Sequence, residues 1–560
     1  MKRFIIYISI GLIFIMSSCS NFLDKEPLNN PSDQTFLATG TEMEMALTGC
    51  YSLLWTEIEQ MPFYLAFDNA TDISYDRNAS NLQLIGQGAM DAENHYAELL
   101  WKNFYEGISR CNYLIENMKR GKDVVGVEEY AQIQAEARFL RALYYSYLVE
   151  LYGDVPLVKE NLTLETAIQS RISKKDVVDF ILSEFTEAAK ALPSTNKPTQ
   201  GRATKGAALA FKARTALYNE RWQEAIDASS QVMQMEGTEY ALEDNYSKLF
   251  RDEGQDSKEV IFSVQYLLGT KVHSLYRFFG SRNSLAHSNK VPAYQLTDSW
   301  ECTDGLSIDK SPLFNPTKPY ENRDPRLDYT LAVSGSNFLG FQFETHGDSV
   351  KCWNYLTNTH INNLEATHAY ATFTGICWRK YANVEDRFAI NDCQMNTILM
   401  RYAEVLLTYA EAKIKAGQLD DSVLDAINKV RQRPSVNMPP IKMMSQDKLF
   451  YAVCRERKYE LSGEGQRLFD IRRWKIAETV MNMPLLGRMK KSYPDVAPRI
   501  DEYGTAFYDN IPIASQGESS DFKMRLVDKR IFNKDRDYLW PIPYIERKTN
   551  PNLTQNPNYE

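Results

Sequence analysis

The sequence predicts a mostly α fold: a scaffold of tetratricopeptide-like helical hairpins carrying one inserted irregular region rich in loops and short strands. Three observations predict it. Apolar residues recur at helical spacing over 41–60, 97–120, 127–152, 174–192, 203–219, 221–235, 401–417, 420–433, 446–463 and 466–477. That period fails across 236–400, where Asn, Ser, Thr, Gly and Pro accumulate around β-rich pieces such as Glu259-Val-Ile-Phe-Ser-Val-Gln-Tyr. Finally, two of the periodic segments meet at a short turn, Asn219-Glu-Arg, as a helical hairpin must.

The first element is not part of the body. Met1-Lys2-Arg3 is basic, Phe4 to Met16 carries no charge, and Ser17-Ser18-Cys19 supplies small residues before a cysteine. Thirteen apolar residues fall short of the ~20 needed to span a bilayer. The segment 1–18 therefore reads as a lipoprotein signal peptide, with a retained anchoring helix as the competing reading. Cleavage frees Cys19 for acylation at the head of a lipidated tether, 19–40. Removal of Lys2 and Arg3 takes the net charge from −9 to −11, so lipid rather than charge must hold the chain on a membrane.

The body, 41–560, reads as one unit: helical scaffold over about 41–235 and 401–480, insertion over about 236–400, and an irregular tail over about 482–560. In the hairpin from Thr199, Leu209, Ala213, Ala216 and Ala225 take positions four, eight, eleven and twenty of a tetratricopeptide-like unit, where small residues let helices approach. Leu406, Ala410, Ser422 and Ala426 repeat the pattern around Ala416-Gly417-Gln418. Ordinary close-packed helices satisfy the same spacing. Gly153 and Pro156 read as the stop of the helix ending near Tyr152.

Composition removes several functions. A chain with 64 basic and 73 acidic residues and no clustered basic surplus does not bind nucleic acid through phosphates. The six histidines form no metal motif, and no cofactor fingerprint is present. Besides Cys19 there are seven cysteines, an odd number without C-x-x-C spacing; most read as buried thiols, with one or two bridges left open. Aromatic residues reach 12%, a surplus that suits rings facing a ligand.

Ordered motifs then carry a resemblance over nearly the whole chain. They are Cys19-Ser-Asn-Phe-Leu-Asp-Lys-Glu-Pro-Leu, Glu136-Ala-Arg-Phe-Leu-Arg-Ala-Leu-Tyr-Tyr, Leu151-Tyr-Gly-Asp-Val-Pro-Leu, Arg202-Ala-Thr-Lys-Gly-Ala-Ala, Asp324-Pro-Arg-Leu, Arg401-Tyr-Ala-Glu-Val-Leu-Leu-Thr-Tyr-Ala-Glu-Ala, Glu464-Gly-Gln-Arg-Leu-Phe-Asp-Ile-Arg-Arg-Trp, Leu539-Trp-Pro-Ile-Pro and Asn550-Pro-Asn-Leu-Thr-Gln-Asn-Pro. The chain resembles the SusD/RagB outer-membrane nutrient-binding lipoproteins of Bacteroidetes. The resemblance implies a non-catalytic, lipid-anchored, surface-exposed glycan-binding protein that delivers oligosaccharide to a TonB-dependent SusC-like transporter. Read physically, Arg138, Arg141, Glu404, Glu411, Arg455, Glu456, Arg467 and Asp470 cross-link packed helices, because buried charges must be paired.

Sugar recognition needs flat rings against C–H faces and polar groups at the rim. The loop Asp72-Ile-Ser-Tyr-Asp-Arg-Asn nominates Tyr75, Asp76, Arg77 and Asn78 as polar contacts. The insertion nominates Trp300, Trp353 and Tyr355 as stacking platforms. A packing role competes for Trp300 and Trp353, and a solvated turn for 75–78. Trp101 and Trp222 fall on apolar helix faces and, with Trp378, read as core. An outer-membrane glycoside hydrolase is an alternative, needing carboxylates ~5–10 Å apart, with Asp72 and Asp76 or Asp298 and Asp304 as candidates. A tetratricopeptide-like peptide adaptor is a further alternative. No catalytic or metal residue is assigned.

Overall fold

The helices form where the apolar period is strongest, and local capping fixes their ends. The computed structural model describes residues 36–78, 80–195 and 201–559; the signal peptide 1–18, Cys19 and most of the tether 19–40 lie outside the described residues. The longer helices are α1 (Gly40–Tyr51), α2 (His95–Asn117), α3 (Val127–Tyr152), α4 (Lys174–Ala191), α5 (Lys205–Tyr218), α6 (Trp222–Met233), α7 (Tyr402–Lys415), α8 (Asp421–Arg431), α9 (Gln446–Leu461) and α10 (Arg467–Arg473). Thr39 and Glu42 form a capping box at α1, and Asn94, Ser173, Thr204 and Asp420 accept first-turn backbone N–H groups at α2, α4, α5 and α8. Gly153 stops α3 at φ 74°, and a Cβ there would sit 2.9 Å from Leu539. The helix expected over 41–60 is shorter. After Tyr51 the chain makes a 3-10 turn, then a tight hairpin with Glu59 and Gln60 at positive φ.

Successive helices pack in series from α2 to α6, and α6 then packs on α7, so the scaffold resumes across the chain that intervenes between them. Ala213, Ala216, Ala225, Ala410 and Ala426 are buried where these helices meet, whereas Ser422 is half-buried at the start of α8 and exchanges a 2.9 Å hydroxyl contact with Tyr409. The principal strands are β1 (Ser74–Asp76), β2 (Val260–Val264), β3 (Lys290–Pro292), β4 (Asn337–Phe338), β5 (Phe341–Gln342), β6 (Lys351–Asn354), β7 (Thr359–Asn362), β8 (Thr397–Arg401), β9 (Pro484–Gly487) and β10 (Arg525–Lys529). Antiparallel pairing of β2 with β8 draws the two ends of the irregular region together. Strands β4 to β7 form an antiparallel four-stranded sheet, and β9 pairs with β10 in the tail. One hydrophobic cluster runs from Leu37 to Leu553, which explains how so long a chain shares a core. The C-terminal segment docks through Asn556, whose amide donates to the carbonyls of Tyr152 and Trp540 at 2.8 and 2.7 Å.

Charged motifs cross-link the helices as expected. Arg141 pairs with Glu184, Arg214 with Glu404, Arg473 with Glu411 and Arg457 with Asp470, whereas Arg467 ties its helix to Asp72 in the turn before β1. The densest knot centres on Glu460, fully buried, whose carboxylate accepts from Arg326, Arg401 and Arg433 at 3.1, 2.7 and 2.7 Å. Burial pushes this carboxyl up, but the Arg433, Arg401 and Arg326 guanidiniums outweigh it and hold the pKa at about 2. The seven described cysteines are all unpaired and buried. Among the described residues no helix is long and apolar enough to cross a membrane.

Candidate ligand-binding site

Three chain segments distant in sequence meet at the loop that follows β1. Strand β1 pairs antiparallel with β3, setting Tyr75 opposite Val291 and Asp76 opposite Lys290. Asp76 and Lys290 are both fully buried and form a 2.6 Å ion pair. The other demands on the Asp76 carboxylate are the Asn78 backbone N–H at 3.0 Å and the Ser80 hydroxyl at 3.2 Å. The Tyr75 hydroxyl accepts from the Gln83 amide at 3.0 Å, and the ring is buried. Tyr75 and Asp76 thus hold the loop in place, with burial and internal hydrogen bonds occupying the groups that the sequence offered to a sugar.

Arg77 and Asn78 emerge from this frame. The Arg77 backbone N–H donates to the Asn289 carbonyl at 2.7 Å. Its guanidinium donates to the carbonyls of His287, Ser288 and Ala371 at 3.2, 3.3 and 3.2 Å, and to that of Tyr370. Arg282 Nε donates to the same Tyr370 oxygen at 2.9 Å, so two guanidiniums converge on one carbonyl. Arg277 adds a third, donating from Nε to His287 Nδ1 at 3.3 Å and from a terminal nitrogen to the side-chain oxygens of Gln60 and Asn391. Arg525 lies 4.0 Å above the Phe373 ring, which the Arg77 guanidinium also covers at 5.3 Å. Partial burial, then the Arg282 charge, lowers the Arg77 pKa to about 10. Burial followed by Arg277, Arg282 and Arg77 likewise lowers that of His287. Tyr370 is 62% exposed at the rim and Asn78 is exposed beside Arg77.

The sheet supplies further rings. Trp353 on β6 faces His360 on β7, ring centroids 5.0 Å apart and nearly perpendicular, and is half-buried. Tyr355 follows at 42% exposure, its N–H bonded to the Gly340 carbonyl at 2.9 Å. Asn363, just past β7, accepts from the Asn283 amide at 3.0 Å and thereby ties the sheet to the Arg282 loop. Trp300 departs from expectation. It is fully buried, stacked on Tyr459 of α9 at 6.1 Å, and offers no face to a ligand. Its neighbours Asp298 and Ser299 are buried with it, so the apolar ring finds more burial inside than any loop surface provides. Trp101 and Trp378 are core residues as read, whereas Trp222 is half-buried and lines a cleft of about 620 Å³ with Phe450, Trp474 and Tyr503.

Arg277, Arg282, His287 and Tyr370 were not legible as candidate site residues. They lie in loops without a motif, and only their tertiary convergence on Arg77 distinguishes them. The carboxylates considered for hydrolysis are otherwise engaged. Asp72 makes a bidentate pair with Arg467 at 2.8 and 2.7 Å, Asp76 pairs with Lys290, Asp298 accepts from the Tyr508 hydroxyl at 2.6 Å, and Asp304 accepts from the Leu306 N–H and Ser311 hydroxyl. Among the described residues no group of three or more His, Cys, Asp or Glu side chains is placed to hold a metal ion. The arrangement offers rings, amides and guanidiniums, which is chemistry for holding a polar ligand.

Comparison with known proteins gives a family model of the SusD family matching residues 222–559, more than half of the chain. The chain belongs to the SusD family. A second model, described as starch-binding and associating with the outer membrane, matches residues 21–217. A SusD-like protein of Formosa agariphila, P25, is 25% identical over 84% of this chain and 90% of its own length. The crystal structure of a SusD-like carbohydrate-binding protein from Bacteroides fragilis superposes with a TM-score of 0.78 at 31% identity, over 93% of this chain and all of that one. A laminarin-binding SusD-like protein shares the fold, with a TM-score of 0.66 at 20% identity over 93% of this chain and all of that one. This SusD-family chain therefore has a mostly helical, SusD-like fold with small sheets.

Proposed function

We propose that this SusD-family chain is a non-catalytic glycan-binding lipoprotein, anchored at the outer membrane through Cys19 and exposed at the cell surface, which passes oligosaccharide to a TonB-dependent SusC-like transporter. Family membership over both halves of the chain carries this reading. The starch, carbohydrate and laminarin binding named for relatives supports a glycan as ligand. Arg77, Asn78 and Tyr370, together with the Trp353 and Tyr355 rings of the neighbouring sheet, offer the ring and rim chemistry that sugars require. Engagement of the candidate hydrolytic carboxylates in structural bonds supports binding without turnover. In this reading the body 41–560 acts as one unit, with the scaffold presenting the irregular region.

The test is calorimetric titration of the chain from Ser20 against a glycan panel, with product analysis of each mixture. Binding without new reducing ends is the expected outcome; released reducing ends overturn the reading. Trp353→Ala should weaken binding at least tenfold at unchanged Tm, and retained affinity would remove that ring from the site.

A further inference from the structure

Resting on the glycan-binding reading, we propose that the Arg77 face selects glycans bearing an anionic substituent, a carboxylate or a sulfate ester, rather than neutral ones. Two guanidiniums, Arg77 and Arg282, share one carbonyl oxygen, with Arg277 joined to them through His287. Like charges so arranged repel unless an anion sits among them. Buried Glu365 offsets part of this repulsion at Arg282 and Arg77, but among the described residues no carboxylate reaches their guanidinium nitrogens directly. The hydrogen-bond partners of Arg77 and Arg282 are carbonyl oxygens, and those of Arg277 are amide oxygens and an imidazole. Among the described residues, none of the three makes an ion pair with a carboxylate. This contrasts with the scaffold, where Arg141, Arg214, Arg326, Arg401, Arg431, Arg433, Arg457 and Arg473 all do.

Two buried acidic side chains act on the cluster from below without pairing with it. Asp76 is paired with Lys290 beneath the surface. Glu365, also buried, accepts from the backbone N–H groups of Arg282 and Thr372. Meanwhile the terminal nitrogens of Arg282 and one of Arg277 have no protein acceptor among the described residues, and both side chains are partly exposed. A planar pair of donors left free at a surface matches the two oxygens of a carboxylate or sulfate. Tyr370, exposed on the rim, supplies a ring for the sugar that carries the anion. The chain as a whole is acidic, so this local excess of cations is not a consequence of general composition.

The experiment compares, by calorimetry at 50 and 500 mM salt, oligogalacturonate for the carboxylate, carrageenan oligosaccharides for the sulfate ester, and laminari- and malto-oligosaccharides as neutral ligands. We expect at least one anionic ligand to bind at least tenfold more tightly than the neutral ones, with affinity falling as salt rises. Which of the two anionic ligands binds identifies the substituent. Arg282→Gln and Arg277→Gln should each cost that ligand about tenfold while leaving Tm within about 1 °C. Preference for neutral glycans, or anionic binding that survives both substitutions, overturns the selectivity and leaves glycan binding intact. Absence of binding by every glycan overturns both.

Discussion

Replacing Glu460 by Gln removes one negative charge from the buried knot of arginines while keeping the side chain's shape. The carboxylate is fully buried and accepts from Arg326, Arg401 and Arg433, and these guanidiniums hold its pKa near 2 against an ordinary 4.5. A depression of about 2.5 pH units corresponds to about 3 kcal/mol at 1.36 kcal/mol per unit, consistent with the ~3–5 kcal/mol lost when one partner of a buried pair is removed. The sign follows from the direction of the shift. Because the folded pKa is lowered, the stabilisation is present above pH 4.5 and is lost as pH falls through 2. For a chain of this length the unfolding entropy is roughly 1 kcal/mol per degree, so E460Q should lower Tm by about 3 °C at pH 7. Between pH 4.5 and 2 the deficit should close as the wild-type carboxylate takes up its proton. Differential scanning calorimetry of both proteins over this range measures it. A Tm difference below 1 °C at pH 7, or one that does not shrink in acid, would refute the assignment of Glu460 as the compensating charge of the knot.

Trp300→Ala should behave as a core truncation, costing ~3–5 kcal/mol and about 3–5 °C of Tm, with glycan affinity of the folded protein unchanged; lost affinity at unchanged Tm would return Trp300 to the site. Asp68 is buried and accepts from the backbone N–H groups of Gly463, Gly465 and Arg467, yet burial raises its pKa from 3.8 to about 7. A raised folded pKa contributes stability that is present below pH 3.8 and lost as pH rises through 7, a change of about 4 kcal/mol. Tm of Asp68→Asn relative to wild type should accordingly be higher at pH 7 than at pH 4, and parallel Tm profiles would exclude this role. Cys19→Ala should abolish labelling by a clickable fatty acid and release the chain from the membrane fraction; retained labelling would place the lipid elsewhere.

Helices were legible because their information is local. The apolar period and caps such as Thr39, Asn94 and Thr204 lie within a few residues of the turns they stabilise, so segments such as 127–152 and 174–192 match α3 and α4 almost to the residue. Where a local pattern met a competing turn, as after Tyr51, the predicted helix was too long. The Arg and Glu motifs were legible as cross-links, since a charge on a packed helix must find a partner, but the partners were not. Glu460 gathers Arg326, Arg401 and Arg433 from three separate elements.

The site divides along the same line. Sequence by itself named the family motifs and the loop at 72–78, because residue type and order suffice for both. Tertiary structure decided which members of that loop face outward. Pairing of β1 with β3, strands more than two hundred residues apart, buries Tyr75 and Asp76 and leaves Arg77 and Asn78 beside Arg282 and Tyr370. Trp300 shows the same limit from the other side, since a tryptophan in a polar loop has no local feature that reveals whether α9 will cover it. Burial and charge convergence are sums over distant neighbours, and those sums exist only once the chain has folded.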